Sequence, residues 1–183
     1  MIDSGPDFRQ QALREGLLHI DAVLYTHAHA DHILGLDDLR PLSFKNTEKI
    51  PLYADETTTS MLQHIFEYTF SENSQYPYKA RVELHPLETR THIFGVDFIS
   101  VPLWHGTLQT VGFRFGAAAY LTDMSDIPEA SFALLQNLDV LILDALRRTP
   151  HPSHSNLETS LKFVAKIQPK HAYFTHISHD LGH

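Results

Sequence analysis

Short blocks of apolar residues alternate with polar segments along most of the chain, and their spacing predicts an α/β fold. Continuous apolar runs predict buried strands, whereas alternating apolar and polar positions predict strands with one exposed face. The predicted strands are residues 21–25, 50–53, 81–103 with a turn near Gly95, 110–122 with a hairpin turn at Gly116, 140–144 and 171–175. Apolar residues at helical spacing predict helices over residues 8–18, 57–70, 128–138 and 155–167.

Two helix boundaries follow from residues with strong local preferences. Pro41 should end the short helix of residues 37–40, because proline has no backbone N–H to donate. Ser155 and Glu158 have the spacing of a capping box, so Ser155 should cap the last helix. His154 would then lie directly before a helix N-terminus, a position that favours anions such as phosphate.

The densest group of chemically active side chains lies in residues 26–35, directly after the predicted strand of residues 21–25. It contains His27, His29, Asp31 and His32, and imidazole and carboxylate groups are good ligands for zinc and similar divalent ions. Residues two apart in an extended segment point the same way, so His27 and His29 can bind one ion together. Asp31 and His32 come where the chain should turn into a helix, and they would face a neighbouring point.

The alternative is that these four residues merely lie on a loop surface, in a chain that has 14 histidines. Four such polar groups between a buried strand and a packed helix would be costly without ligands to satisfy them. We therefore predict metal binding at residues 27–32.

Size and composition are those of a globular protein with one domain over residues 1–183. No apolar run approaches 18 residues and the start has no signal-peptide pattern, so we expect a cytoplasmic protein with no membrane partner. Cysteine is absent, which rules out thiolate metal ligands from this sequence. The formal net charge of −8, without a basic tract, argues against a general nucleic-acid surface.

The pattern His-x-His-x-Asp-His at residues 27–32, closing a short strand, resembles the signature of the metallo-β-lactamase fold superfamily. The resemblance implies an αββα four-layer sandwich and a hydrolase with two divalent ions. Relatives usually carry a β-hairpin region before the segment that matches residues 2–5, and more chain after the last histidine. We therefore expect a chain that is truncated at both ends.

The same resemblance implies the remaining metal ligands. His105 lies at a predicted strand end before a glycine, where the superfamily places its third histidine, and His176 follows the last strand as the final ligand. Asp123 matches the family's bridging carboxylate; the alternative is that it caps the helix of residues 128–138, a role that Ser125 or Asp126 would serve better. The implied ligand sets are His27, His29, His105 and Asp123 for one ion, and Asp31, His32, Asp123 and His176 for the other.

These ligand sets suit Zn²⁺, Mn²⁺ or Fe. Two such ions about 3.5–4 Å apart can hold a bridging hydroxide as the nucleophile for displacement at phosphorus.

The amino-acid sequences of residues 2–11, 26–36 and 175–180 resemble those of the phosphoribosyl cyclic phosphodiesterase branch, which acts in phosphonate breakdown. In that group the residue matching His154 assists as a general acid or phosphate contact; the alternative is a plain loop histidine. Asp31 and His154 are therefore the predicted catalytic residues. Asp144 should support the site or form a salt bridge. Asp3 resembles a family aspartate near the metal loop, but a turn-capping role is the favoured interpretation.

Three functions are consistent with these residues. We favour a metal-dependent phosphodiesterase that cleaves a small cyclic or diester phosphate. An RNA 3′-processing nuclease is the second hypothesis, although it should carry a basic or flexible RNA-binding arm that we do not find in the sequence. The third is a non-catalytic metal-binding accessory protein of cofactor biosynthesis. The expected partner is a small phosphate ester, and a homodimer is left open.

Overall fold

The computed structural model describes residues 1–182, which fall into two units. The first unit is Met1–Leu87 and the second begins at Glu88. Each unit contains a β-sheet of its own with helices in the intervening segments. The predicted α/β class is confirmed, and the single-domain organisation stays a prediction.

The first unit is built on a three-stranded parallel sheet in the order β1–β2–β3. Side chains of β2 alternate between buried and half-buried, as the sequence pattern predicts for a strand with one face on the core. The core includes Val23, Ile33, Leu36, Leu52 and Leu62. The elements are α1 (Phe8–Arg14), β1 (Val23–Leu24), α2 (Ala30–Ile33), a 3₁₀ helix (Leu36–Leu39), α3 (Arg40–Ser43), β2 (Ile50–Ala54), α4 (Glu56–Ile65), α5 (Glu67–Phe70) and β3 (Val82–Pro86).

The second unit is built on a six-stranded mixed sheet in the order β4 to β9. Strands β4 to β7 are joined as antiparallel neighbours, whereas β7, β8 and β9 are parallel. The hairpin between β6 and β7 turns at Gly116, whose φ of +57° suits glycine because it has no Cβ. The elements are β4 (Arg90–Ile93), β5 (Val96–His105), β6 (Leu108–Phe115), β7 (Ala118–Leu121), a 3₁₀ helix (Glu129–Leu135), β8 (Val140–Asp144), α6 (Leu157–Ile167) and β9 (His171–Thr175).

The topology of the second unit decides where polar side chains can meet. Strand β5 runs in the same direction as β7, because each is antiparallel to β6. The carboxyl ends of β5, β7, β8 and β9 therefore lie along one edge of the sheet. Apolar side chains of these strands, including Leu103, Leu121, Leu141 and Leu143, form the core with Ile167 of α6.

Both predicted helix boundaries are wrong. Pro41 does not end a helix but lies in the first turn of α3, where its missing N–H breaks no helical hydrogen bond. Ser155 does not cap α6, because the Asn156 side chain accepts the hydrogen bond from the Thr159 backbone N–H at 3.0 Å. Ser155 Oγ instead lies 2.7 Å from Ser160 Oγ.

Three helices also differ in extent from the prediction. The helix predicted over residues 57–70 is interrupted at Phe66, which separates α4 from α5. Residues 129–135 form a 3₁₀ helix, and α1 ends at Arg14. No helix in the described part of the chain is both long and apolar enough to cross a membrane.

Candidate metal centre

The first unit brings together three of the predicted metal-binding histidines. His27 and His29 follow β1 in the loop before α2, and His32 lies in the short α2 helix. The ring centroid of His27 lies 4.5 Å from that of His29 and 4.3 Å from that of His32. Asp31 is nearby, with its Oδ2 3.6 Å from His32 Nε2. We call His27, His29, Asp31 and His32 the loop cluster.

Burial divides the loop cluster. His27 and His32 are buried, whereas His29 and Asp31 are exposed. An exposed carboxylate and imidazole beside two buried imidazoles give a site that is fixed on its inner side and open on its outer side. This arrangement suits an ion that must also meet a substrate.

Asp3 contacts the loop cluster through its buried carboxylate. Its carboxylate accepts hydrogen bonds from the Thr26 backbone N–H and from Thr26 Oγ1, both at 2.8 Å. The same carboxylate lies 2.7 Å from His32 Nδ1. Burial raises the pKa of Asp3, and the hydrogen bonds from His32 and Thr26 act in the opposite direction.

The turn-capping interpretation of Asp3 is therefore wrong, because its partners lie more than 20 residues away. Asp3 has a φ of +54°, a left-handed conformation that is unfavourable for a residue with a side chain. Such conformations are concentrated at functional sites, where surrounding contacts hold them. With Nδ1 directed at Asp3, Nε2 is the His32 nitrogen that could bind an ion.

The second unit gathers the remaining predicted site residues at the strand-end edge of its sheet. His105 is the last residue of β5, Asp144 the last of β8, and His176 follows β9 directly. Asp123 follows β7 and is buried, with its Oδ1 3.1 Å from His176 Nε2. We call His105, Asp123, Asp144, His154 and His176 the strand-end cluster.

His154 lies at the centre of the strand-end cluster. Its ring centroid is 4.5 Å from that of His105 and 4.8 Å from that of His176, on which it stacks. One ligand atom from each of Asp123, Asp144, His154 and His176 lies within 4.8 Å of the others. These four residues could hold a metal ion by themselves.

The surroundings of Asp144 favour a supporting role for this carboxylate over a metal-binding one. Its Oδ2 lies 2.8 Å from His154 Nδ1 and accepts a second hydrogen bond from the Met124 backbone N–H at 3.2 Å. Asp144 is fully buried, and burial raises its pKa against the opposing effect of His154. Asp144 therefore contacts His154 as a supporting residue would, and its role in the site stays a prediction.

The hydrogen bonds behind the histidines fit a metal centre. Ring nitrogens of metal-binding histidines usually pair on the far side with a carboxylate or a backbone carbonyl, which orients the ring. His105 donates from Nδ1 to the Ser153 carbonyl oxygen at 2.6 Å, and His32 pairs with Asp3. The donor set contains only imidazole and carboxylate groups, which suits divalent ions such as Zn²⁺ or Mn²⁺. The chain thus carries two His/Asp clusters suited to divalent metal ions.

Sequence reasoning missed two contributors to these clusters. Thr26 connects Asp3 to the loop cluster. Its Oγ1 donates to the Asp3 carboxylate and lies 3.0 Å from His27 Nδ1. The Ser153 carbonyl oxygen orients His105 across 48 positions of sequence. A backbone carbonyl carries no residue-specific signal, so only the fold could reveal the second contribution.

The chain belongs to the β-lactamase superfamily domain family, whose sequence model matches residues 1–177. The predicted resemblance to the metallo-β-lactamase superfamily is thus confirmed, and with it the α/β fold of that type. The chain is 53% identical to a diphosphatase of the PhnP family, whose crystal structure it matches with a TM-score of 0.92 over 100% of this chain and 69% of that one.

Two further proteins are similar to the chain at lower sequence identity. It is 35% identical over 182 residues to an octanoyltransferase of Porphyromonas gingivalis, a match to 98% of this chain and 36% of the relative. The chain therefore spans about a third of the length of that curated relative. The metallo-β-lactamase fold protein YhfI of Bacillus subtilis has a TM-score of 0.79 at 16% identity, over 100% of this chain and 74% of that one, and supports the fold alone.

Proposed function

We propose that this chain is a metal-dependent phosphodiesterase that hydrolyses a small cyclic or diester phosphate. The observation that carries the proposal is the pair of His154 and buried Asp144, joined at 2.8 Å, beside the rings of His105 and His176. An imidazole held by a carboxylate is suited to deliver a proton to a leaving alkoxide. The 53% identity to a diphosphatase supports chemistry at phosphorus.

The metal ligands are part of the proposal and rest on the family pattern and on the chemistry of the donors. When bound, two divalent ions would supply an activated water and would neutralise charge on the phosphoryl oxygens. Zn²⁺, Mn²⁺ and Fe all suit imidazole and carboxylate ligands. The proposed sets are His27, His29, His105 and Asp123 for one ion, and Asp31, His32, Asp123 and His176 for the other.

The residues of the chain have distinct tasks in this reaction. As the water oxygen bonds to phosphorus, the bond from phosphorus to the leaving oxygen breaks, and His154 releases its Nε2 proton to that oxygen. Asp144 keeps accepting the Nδ1 hydrogen bond and stabilises the protonated ring before the transfer. The proton lost by the attacking water restores His154 for the next turnover. Asp31, exposed at the start of α2, would help to hold one of the ions.

We propose a small ester as the substrate for a reason of charge. The formal net charge of −8 would repel a polyanionic nucleic acid, whereas a single phosphate group can be attracted by bound cations. The similarity to the octanoyltransferase does not support octanoyl transfer by this chain, because it covers only 36% of that relative's length.

The test combines metal content per chain with hydrolysis of bis(p-nitrophenyl) phosphate. The variant is Asp123→Ala, and the matched control is Asp126→Ala, which removes an exposed carboxylate three residues away. We expect the wild type and the control to bind two ions and to hydrolyse the ester, and Asp123→Ala to lose both properties. Two bound metals without turnover under any divalent ion would favour the accessory-protein hypothesis. Well-folded protein that binds no metal would refute the proposal.

A further inference from the structure

His151 is the histidine nearest to the proposed catalytic His154 that the proposed reaction does not use. It lies on the segment between β8 and α6 and is half-buried. Its ring centroid is 5.0 Å from that of His154. A polar ring at this distance from the group that protonates the leaving oxygen lies within reach of the leaving group itself.

The hydrogen bonds of the two histidines place their protons differently. His151 Nδ1 accepts a hydrogen bond from the Ser153 backbone N–H at 3.3 Å, so the proton of the neutral ring lies on Nε2. The charged ring also carries a proton on Nε2, so the donor is present in either protonation state. His154, in contrast, directs Nδ1 at Asp144. His151 therefore offers an Nε2–H donor near neutral pH.

The segment that carries His151 is held in place by its own contacts. Arg147 donates from Nη2 to the Pro150 carbonyl oxygen at 3.0 Å and from Nε to the Thr149 carbonyl oxygen at 3.4 Å. Asn156 Nδ2 donates to the Arg148 carbonyl oxygen at 3.0 Å. A donor on a segment fixed in this way loses little conformational freedom when a ligand binds.

We propose that His151 is a specificity-determining contact that donates a hydrogen bond from Nε2–H to an acceptor oxygen on the leaving group of the substrate. This inference rests on the proposed phosphodiesterase function. Because His154 protonates the leaving oxygen, a neighbouring donor meets atoms a few bonds further along the same group. The acceptor is a hydroxyl of a leaving sugar or an oxygen of a second phosphate.

The kinetic test compares substrates that differ in the leaving group. A nucleoside 2′,3′-cyclic phosphate carries sugar oxygens beside the leaving oxygen, and a nucleoside diphosphate carries a second phosphate. Bis(p-nitrophenyl) phosphate has neither a hydroxyl nor a phosphate oxygen on its leaving group, since its nitro group lies on the far side of the aromatic ring. We expect His151→Phe to lower kcat/KM for one of the two oxygen-bearing substrates by about 10-fold relative to bis(p-nitrophenyl) phosphate, mainly through KM. The substrate that shows this loss identifies the source of the acceptor.

Two further variants separate a lost donor from a structural defect. His151→Gln keeps an N–H donor near the same position and should recover most of the relative kcat/KM. His64→Phe makes the same change at an exposed histidine of α4 and should not alter the ratio between substrates. An equal loss on all three substrates, or a His151→Phe variant that behaves like His64→Phe, would overturn the inference.

A second readout does not depend on turnover. With ¹⁵N-labelled histidine, NMR identifies the protonated ring nitrogen of His151, which we expect to be Nε2, and a nucleoside monophosphate should shift its resonance while that of His64 stays in place. Protonation at Nδ1, or no shift at saturating ligand, would contradict the proposed contact even in an active enzyme. Failure of the proposed function would differ, because the wild type would then hydrolyse none of the three substrates.

Discussion

Replacing Asp144 with asparagine tests whether the carboxylate behind His154 serves catalysis or folding. One carboxylate oxygen of Asp144 pairs with His154 Nδ1 at 2.8 Å and with the Met124 backbone N–H at 3.2 Å. Asparagine has the same shape but no charge. Its amide oxygen can still accept the Met124 hydrogen bond, but it cannot stabilise a protonated imidazole as a carboxylate does.

The size of the effect follows from the lost charge. Hydrogen bonds to charged groups contribute about 1.5–3 kcal/mol and neutral ones about 0.5–1.5 kcal/mol, so the difference is roughly 1–2 kcal/mol. Since about 1.4 kcal/mol is tenfold in rate, we expect kcat for an ester with an alkoxide leaving group to fall roughly 10-fold or more. Loss of general acid catalysis altogether would lower it by about 10²–10⁴-fold.

Folding stability should respond in the opposite direction. Burial raises the pKa of Asp144 in the folded protein. The contribution of this carboxyl group to stability is therefore fully present below its ordinary pKa, where the group is neutral, and is lost as the pH rises through the folded value. At neutral pH the neutral asparagine avoids this penalty, and we expect a thermal midpoint that is unchanged or higher in the presence of a chelator.

The assay measures kcat for a nucleoside 2′,3′-cyclic phosphate and Tm by scanning calorimetry. The control is Asp139→Asn, which alters an exposed salt bridge to Lys170. An unchanged kcat in Asp144→Asn would show that the carboxylate is not needed for proton transfer. A slow variant whose Tm falls by more than about 10 °C would show instead that the carboxylate is needed for folding.

Three other changes test the supports of the loop cluster. Asp3→Asn should weaken metal binding by about 10–100-fold in a competition titration, because it loosens His32; an unchanged affinity would contradict this support. Gly35→Ala should lower the free energy of unfolding in urea by about 1–3 kcal/mol, because a Cβ there would collide with the Gly5 carbonyl oxygen, and a smaller loss would mean that the backbone relaxes. Burial raises the pKa of Tyr25, so wild-type stability should fall as the pH rises above the ordinary tyrosine value of 10.0, since the unfolded chain loses this proton first. Tyr25→Phe should lose that part of the alkaline dependence in urea unfolding at pH 7 and 11, and an equally steep decline in the variant would refute the assignment.

Contiguous sequence was sufficient for the features that depend on nearest neighbours. The loop cluster is visible because its four residues lie within residues 27–32, between a short strand and a short helix. The β6–β7 hairpin could be predicted from alternation and from Gly116, and the strand at Val140–Asp144 from its apolar run. Periodicity and turn preference act over a few residues, so they can be read without knowing the fold.

Helix ends were less predictable because several residues compete for each role. Ser155 and Asn156 are both good caps, and in the structure Asn156 caps α6 whereas Ser155 Oγ lies against Ser160 Oγ. Proline is disfavoured inside a helix but favoured in its first turn. The local pattern could not distinguish whether Pro41 ends one helix or begins the next, and in the structure it lies in the first turn of α3.

The partners of the site residues were decided by tertiary structure alone. Asp3 reaches His32 across 29 positions, and His105 reaches the Ser153 carbonyl across 48. The sequence by itself indicated the types of candidate ligand and the strand ends that carry them. Which carboxylate or carbonyl orients each imidazole depends on how distant segments pack, because a hydrogen bond requires a particular distance and direction that no spacing along the chain encodes.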